Sequence, residues 1–320
     1  MFIRNCRSYN TKEFTIENDY LSITLIDYGA RIKEIYSKKY KRNIVLNYES
    51  NEKYLEDKNF YGATIGPNAN RIKNAEFVID GEKMIWEKND GNSNLHSGKY
   101  GFDRKYWTEE IINNDLIVLS LYKADPFLSD VKAQFRLNSN KVEIKYISNS
   151  AKKSIMNITN HTYFNLSDDD TMDNHQFTIY SSKYTPFDEE KIPIGSIDSV
   201  NQTEFDLRKD SYLSDMMKKF KNSSIGTYGY DINYISDSKD KDIIKLARVS
   251  HENIVLNIYS DQEAFQFYTG SNIIESEVSK ARKGFCIEPQ FIPNSVNSRI
   301  NKIVKDRKEL FELNIVYEIV

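Results

Sequence analysis

A chain of 320 residues and 37.5 kDa with net charge −3 and a pI near 5.9 lacks the Lys and Arg excess that a nucleic-acid or anionic-membrane surface needs, so its expected partner is small or neutral. A mean hydropathy of −0.62 beside 13% aromatic residues, including 22 Tyr, describes polar surfaces over a sizeable core and excludes a disordered chain. Length alone leaves two ordinary domains or one large all-β domain.

The first residues, Met1 to Arg7, are broken by charge with no apolar run after them, and no later segment reaches the length of a membrane span. Cytoplasmic localisation without membrane contact is the expectation. Leu21, Ile23 and Leu25 alternate with Ser22 and Thr24, the period of a half-buried strand. A short helix is a weak candidate around Asn51 to Glu56. Asp80-Gly81, between Phe77 to Ile79 and Met84 to Trp86, is a dipeptide favoured by type I′ hairpin turns, and Ser139-Asn140 joins two further runs. Val142, Ile144 and Tyr146 alternate with Glu143 and Lys145. Helical spacing is convincing at Leu213, Met216, Met217 and Phe220. Ile254, Leu256 and Ile258 alternate more weakly, and Phe311, Leu313, Ile315, Tyr317 and Ile319 carry the pattern to the C-terminus.

These runs predict an all-β, mainly antiparallel protein with few short helices. No linker, repeat or low-complexity tract divides it, so residues 1–320 read as a single domain. Exposed sheet edges leave both a monomer and a homodimer open. Cys6 and Cys286 lie far apart, with no second Cys or His at metal-ligand spacing, and read as free thiols. Cys286 shares a strand face with Glu288, two residues on, where packing is its expected role.

Histidine occurs 4 times. His161 sits in an apolar, strand-like run rich in hydrogen-bonding side chains, Asn157 to Leu166; a lone His there is most often a core residue bonded to a carbonyl. Glu288 follows Phe285, Cys286 and Ile287. Taken alone it is as readily an edge-strand surface Glu as a desolvated base, although Pro289 and Pro293 mark an irregular loop after it. Arg71 alone would suit a structural ion pair. His96 would suit a core or capping role, and Asp231 a turn. No Gly-rich phosphate loop opens a helix and no His/Cys cluster has metal-ligand spacing, so no cofactor is expected. His175 and His251 match no pattern and are expected to be exposed.

Together, Asn157-x-Thr159-Asn160-His161-Thr162-Tyr163-Phe164-Asn165-Leu166, Glu288-x-Gln290-x-x-Pro293 with Asn297, Gly66-x-x-Ala69-Asn70-Arg71-Ile72, Leu95-His96-x-Gly98 and Gly229-Tyr230-Asp231-x-Asn233-Tyr234 resemble the motifs of the aldose 1-epimerase (galactose mutarotase) family. The resemblance spans nearly the whole chain and implies a large twisted β-sandwich, which alternation alone does not distinguish from a jelly roll or barrel. It further implies interconversion of the α- and β-anomers of free aldohexoses such as galactose or glucose. On that reading Glu288 is the base, His161 the acid, and Asn70, Arg71, His96, Asp231 and Gln290 hold the monosaccharide. Pro67, Asn68, Ser97, Ile232 and Ser271 depart from the family pattern and put sugar preference in question. A hexose 6-phosphate mutarotase would need a basic pocket, whereas Arg71 is the Arg in these motifs. A non-catalytic sugar-binding module would have little reason to keep both an acid and a base.

Overall fold

Side-chain alternation sets the architecture. In the computed structural model, residues 2–4, 11–220, 229–237, 242–271, 273–275, 278–279, 282–298 and 302–320 are described, so Cys6 and the expectation attached to it lie outside the described residues. The strands that position the site and core are β1 (Glu13–Glu17), β2 (Leu21–Ile26), β3 (Arg31–Ser37), β4 (Ala63–Ile65), β5 (Arg71–Ile72), β6 (Asn94–Leu95), β7 (Thr108–Ile112), β8 (Leu116–Leu121), β9 (Ser129–Asn138) and β10 (Lys141–Ser150). They continue with β11 (Thr159–His161), β12 (Gln176–Ile179), β13 (Asp231–Ile235), β14 (Ile244–His251), β15 (Ile254–Ser260), β16 (Ala264–Tyr268), β17 (Cys286–Gln290) and β18 (Phe311–Ile319). Two α-helices occur among the described residues: α1 (Glu52–Leu55) and α2 (Leu213–Phe220), where helical spacing was read.

A nine-stranded sheet among the described residues runs β7-β8-β9-β10-β18-β15-β14-β12 and ends on Ser211–Tyr212. One five-stranded sheet is centred on β1, β2 and β3; another ends β13-β16-β17. These strand pairings are antiparallel. In β9 Val131, Ala133, Phe135 and Leu137 point inward, in β10 Val142, Ile144 and Tyr146, and in β18 every odd residue from Phe311 to Ile319. Register sets Ile144 between Phe135 and Ile315, so three strands bury one continuous stripe. Each such aliphatic or aromatic side chain contributes about 1.5–3 kcal/mol of burial. Inner faces of all three sheets share one hydrophobic cluster, including Ile23, Ile315 and Phe267. This is the large antiparallel sandwich that the resemblance implied.

The Asp80-Gly81 turn has positive φ at both residues, 50° and 78°, and closes the hairpin of Glu76–Ile79 with Glu82–Ile85. Ser139, at φ 55°, turns β9 into β10. Both hairpins fall where the dipeptides placed them, because the twist of paired strands matches left-handed turn residues.

His175 and His251 depart from expectation. His175 is fully buried, His251 is half-buried, and their rings stack 4.8 Å apart. His175 Nε2 accepts the Leu166 N–H at 2.9 Å, serving an irregular stretch that has no strand partner there. Burial, then His251 and Arg42, pushes the His175 pKa down to about 3, so it stays neutral.

Candidate active site

His161 ends β11, which pairs with β4 so that Thr159 faces Ile65 and His161 faces Ala63. The preceding Gly62 donates its N–H to the His161 carbonyl at 3.1 Å. At φ 65°, a Cβ on Gly62 would lie 1.9 Å from the Ile32 carbonyl oxygen, so only glycine lets β3 and the imidazole strand approach this closely.

The asparagines of the long motif act as staples. Asn157 accepts the Phe291 N–H at 2.9 Å and donates to the Ala69 carbonyl at 3.3 Å, tying the segments that carry Glu288 and Asn70 to its own. Asn160 joins Gly62 and the buried hydroxyls of Tyr146 and Tyr317, satisfying two phenols inside the core. Asn165 donates to the carbonyls of Lys283 and Asp169. Their polarity is spent on holding loops, while His161 alone of the four turns to the cavity.

Glu288 comes from β17. Strands β13, β16 and β17 set Asp231 opposite Tyr268 and Gln266 opposite Glu288. Glu288 Oε2 lies 3.6 Å from His161 Nε2, and the two side chains are 3% and 5% exposed. That oxygen is buried with no hydrogen-bond partner. Burial, then the Asp231 charge, holds the Glu288 carboxyl well above the usual carboxylate range against the opposing pull of Arg71. Burial pushes His161 down to about 4. Both shifts favour the neutral forms, a carboxylic acid beside an uncharged imidazole.

Asn70, at φ 65°, and His96, at φ 51°, bracket the β5–β6 pair. The Asn70 N–H donates to His96 Nδ1 at 3.1 Å, and the His96 N–H donates to the Asn70 carbonyl at 3.1 Å. Burial, then His161 and Arg71, pushes His96 well below the ordinary imidazole value. A neutral His96 whose Nδ1 accepts must carry its proton on Nε2, making it a fixed donor. Arg71 Nε donates to Asp90 Oδ2 at 2.6 Å, which orients the rest of the guanidinium. Asp231 accepts from Gln266 at 2.6 Å on one oxygen and from Lys191 on the other. Burial would raise its pKa, but Lys191 and Arg71 outweigh that and lower it, so Asp231 is a carboxylate.

These groups converge on a cavity of about 200 Å³ bordered by Asn70, Arg71, His96, His161, Asp231 and Glu288. That is below the roughly 300–1,000 Å³ of drug-sized sites and suits one monosaccharide. Gln290 is the exception among the expected residues. It is fully buried, neither of its amide atoms has a partner, and it does not border the cavity. It pairs with Ala264, two residues past Glu288, and a strand advances about 6.6 Å over that step, beyond a space this small. Asn297 also lies elsewhere, donating to the Glu76 carbonyl.

Sequence reading missed Phe60, Asp90, Lys191, Gln266 and Tyr268. Phe60 stands at φ 62° with its ring 4.8 Å from that of His96 and 5.6 Å from that of His161, an apolar wall against both imidazoles. Gln266 is cross-strand from Glu288 and Lys191 arrives from a distant turn, so neither had a local signal. None of Pro67, Asn68, Ser97, Ile232 and Ser271 borders the cavity. Two of them interlock: Ser97, at φ 67°, accepts the Asn68 N–H with its hydroxyl at 2.8 Å and returns a bond to the Asn68 carbonyl.

Ligand atoms of His96, His161 and Glu288 lie within 4.8 Å of one another, the spacing of a metal site. His96 does not fit. A ligating imidazole donates its other N–H to an acceptor, whereas His96 Nδ1 faces the Asn70 N–H and its Nε2 is occupied by hydrogen. Two ligands remain, fewer than the three protein ligands of catalytic zinc sites.

A sandwich whose small polar cavity sets a desolvated carboxyl against a desolvated imidazole, beside donors for hydroxyl groups, has the equipment of a carbohydrate acid–base enzyme. The family model for aldose 1-epimerase matches residues 12–318, and the chain belongs to that family. It is 31% identical over 305 residues to galactose mutarotase from Bos taurus, covering 89% of this chain and 87% of that protein. It is 32% identical over 301 residues to aldose 1-epimerase from Escherichia coli K12, covering 86% and 84%. The same fold occurs in an aldose epimerase homologue from C. elegans, with TM-score 0.87 at 23% identity over 97% of this chain and 99% of that one. A galactose 1-epimerase from Lactobacillus acidophilus superposes with TM-score 0.85 at 24% identity over 98% and 96%. The protein is thus an isomerase, a mutarotase of aldoses.

Proposed function

We propose that the enzyme interconverts the anomers of free aldohexoses, galactose and glucose among them, with Glu288 as base and His161 as acid. The observation that carries this reading is the pair itself: two buried, titratable groups of opposite tendency, 3.6 Å apart, at one cavity. Glu288 takes the proton of the C1 hydroxyl while His161 gives one to the ring oxygen, and the C1–O5 bond breaks. Rotation about C1–C2 exposes the other face of the aldehyde. Reclosure reverses both transfers, O5–H returning its proton to His161 and the carboxyl returning one to the new hydroxyl.

The pair holds one proton throughout. The anionic Glu288 with imidazolium His161 belongs to the closed sugar, and the neutral pair belongs to the open chain, so the charges vanish as the ring opens. Desolvation by the surrounding protein favours the neutral pair. Bound hydroxyls must therefore stabilise the charged form, and His96 Nε2–H and the Arg71 guanidinium are the donors suited to this. Asp231 accepts from sugar hydroxyls through lone pairs left free by Lys191 and Gln266, and Asn70 braces His96.

A hexose 6-phosphate is a poorer fit, because Arg71 and Lys191 already hold Asp90 and Asp231. Polarimetry on freshly dissolved α-galactose and α-glucose tests the proposal. Rates no faster than spontaneous mutarotation for every free aldose tried would overturn it.

A further inference from the structure

The Cys286 thiol touches the acid yet takes no part in the proton transfers described above. Alternation along β17 puts Cys286 and Glu288 on one face, and one strand thereby meets both ring nitrogens of His161: Sγ is 3.4 Å from Nδ1, and Glu288 Oε2 is 3.6 Å from Nε2. Cys286 is fully buried, packed beside Tyr163 and Ile273. Burial, then Glu288, pushes its pKa well above the ordinary thiol value, so it remains a neutral thiol whose sulfur can accept a hydrogen bond.

We propose that Cys286 is a positioning residue for His161: its sulfur accepts the Nδ1–H, which keeps the lone pair of the neutral imidazole on Nε2, toward the sugar. The inference rests on His161 being the acid. When the imidazolium gives its Nε2 proton to O5, the Nδ1 proton must stay in place if the vacated Nε2 is to take the proton back on closure. Transfer of hydrogen from Nδ1 to Nε2 would leave the ring facing the sugar with a filled site. A tautomer fixed from behind prevents this. The arrangement is opposite to that of His96, whose Nδ1 accepts from a backbone N–H and whose Nε2 is a permanent donor. Two imidazoles with ring centroids 5.4 Å apart are thereby given different tasks by what lies behind each ring. A thiol suits the position because it is a weak acceptor. It selects the tautomer without stabilising the imidazolium as strongly as a carboxylate would, and so leaves the proton ready to move.

The test compares Cys286→Ala, which removes the acceptor, with Cys286→Ser, which restores one on a shorter bond. Nitrogen NMR of the intact protein labelled at histidine reads the His161 tautomer directly near neutral pH. Wild type and Cys286→Ser should show a protonated Nδ1 and an unprotonated Nε2, and Cys286→Ala a mixture. A weak hydrogen bond biases the tautomers modestly, so kcat of Cys286→Ala should fall by about 3- to 10-fold with KM unchanged, and Cys286→Ser should recover most of it. Unchanged nitrogen shifts in Cys286→Ala would overturn the positioning role. Equal losses in both variants with a lowered melting temperature would also overturn it, in favour of packing. Altered shifts with wild-type kcat would instead count against His161 as the acid.

Discussion

Replacing Glu288 by Gln keeps the shape of the side chain and removes its ability to accept a proton. The structure says where the loss should fall. Burial to 3% exposure, then the Asp231 charge, holds the carboxyl well above the usual carboxylate range. Gln keeps the side-chain shape and leaves Arg71, His96 and Asp231 in place, so sugar binding through those three groups should persist with KM near wild type. General base catalysis by one positioned group is worth about 10²–10⁴ in rate, and kcat should drop by that factor, or about 2.7–5.5 kcal/mol of barrier. The linkage has the same sign. A carboxyl whose folded pKa is raised gives the native state stability that is lost as pH rises from the unfolded toward the folded value. The neutral amide carries no such loss, so Glu288→Gln should melt no lower than wild type in mildly alkaline buffer. Polarimetry with the spontaneous rate subtracted measures kcat and KM, and a thermal scan measures stability. A variant with near wild-type kcat, or one that loses binding and rate together, would refute the reasoning.

Four other outcomes are expected. Activity should follow a bell in pH because the Glu288–His161 pair must hold one proton: the acid limb falls near the depressed His161 value of about 4, where a second proton enters, and the alkaline limb lies well above the ordinary Glu value, where the last one leaves. A single monotonic titration near 6.5 in kcat/KM would contradict the shared proton. Asp231→Asn removes charge-assisted bonds worth about 1.5–3 kcal/mol, so KM should rise by roughly 10- to 150-fold with a smaller change in kcat, as steady-state kinetics will show. Asp57→Asn breaks a buried pair with Arg31, the two side chains being 0% and 1% exposed, and should cost about 3–5 kcal/mol in denaturant unfolding, because Asp57 also holds Tyr48 and the N–H groups of Asn59 and Tyr61. Incubation with a chelator followed by dialysis should leave the mutarotation rate unchanged, since the His96 tautomer opposes a third metal ligand; loss of activity restored by a divalent cation would contradict that assignment.

Much of the fold was legible because strand alternation is local. Val142 to Tyr146 and Phe311 to Ile319 showed their buried faces in the order of their letters, and Asp80-Gly81 announced its hairpin by a conformational demand that few residues meet. The meeting of His161, Glu288, Asn70, Arg71, His96 and Asp231 at one cavity was foreshadowed by the motifs that carry them, and around His161 the motif's Asn157, Asn160 and Asn165 serve as staples. Gln290, expected at the site, stands away from the cavity, since a motif gives no measure of how far a strand has travelled past it.

The sequence by itself determined the strand periods, the turn residues and the kinds of proton-carrying group available. The tertiary structure decided which of these groups meet and what state they adopt. Lys191 on Asp231, Asp90 on Arg71 and Gln266 beside Glu288 are contacts between segments far apart in the chain, with no trace in local spacing. Protonation is likewise a property of surroundings. His96 and His161 are the same residue type, yet a backbone N–H lies behind one ring and a thiol behind the other, which gives the two imidazoles different hydrogen-bonding surroundings. Burial then moves His161 and Glu288 in opposite directions, because desolvation penalises whichever form is charged, and only the assembled core excludes the water that would otherwise level them.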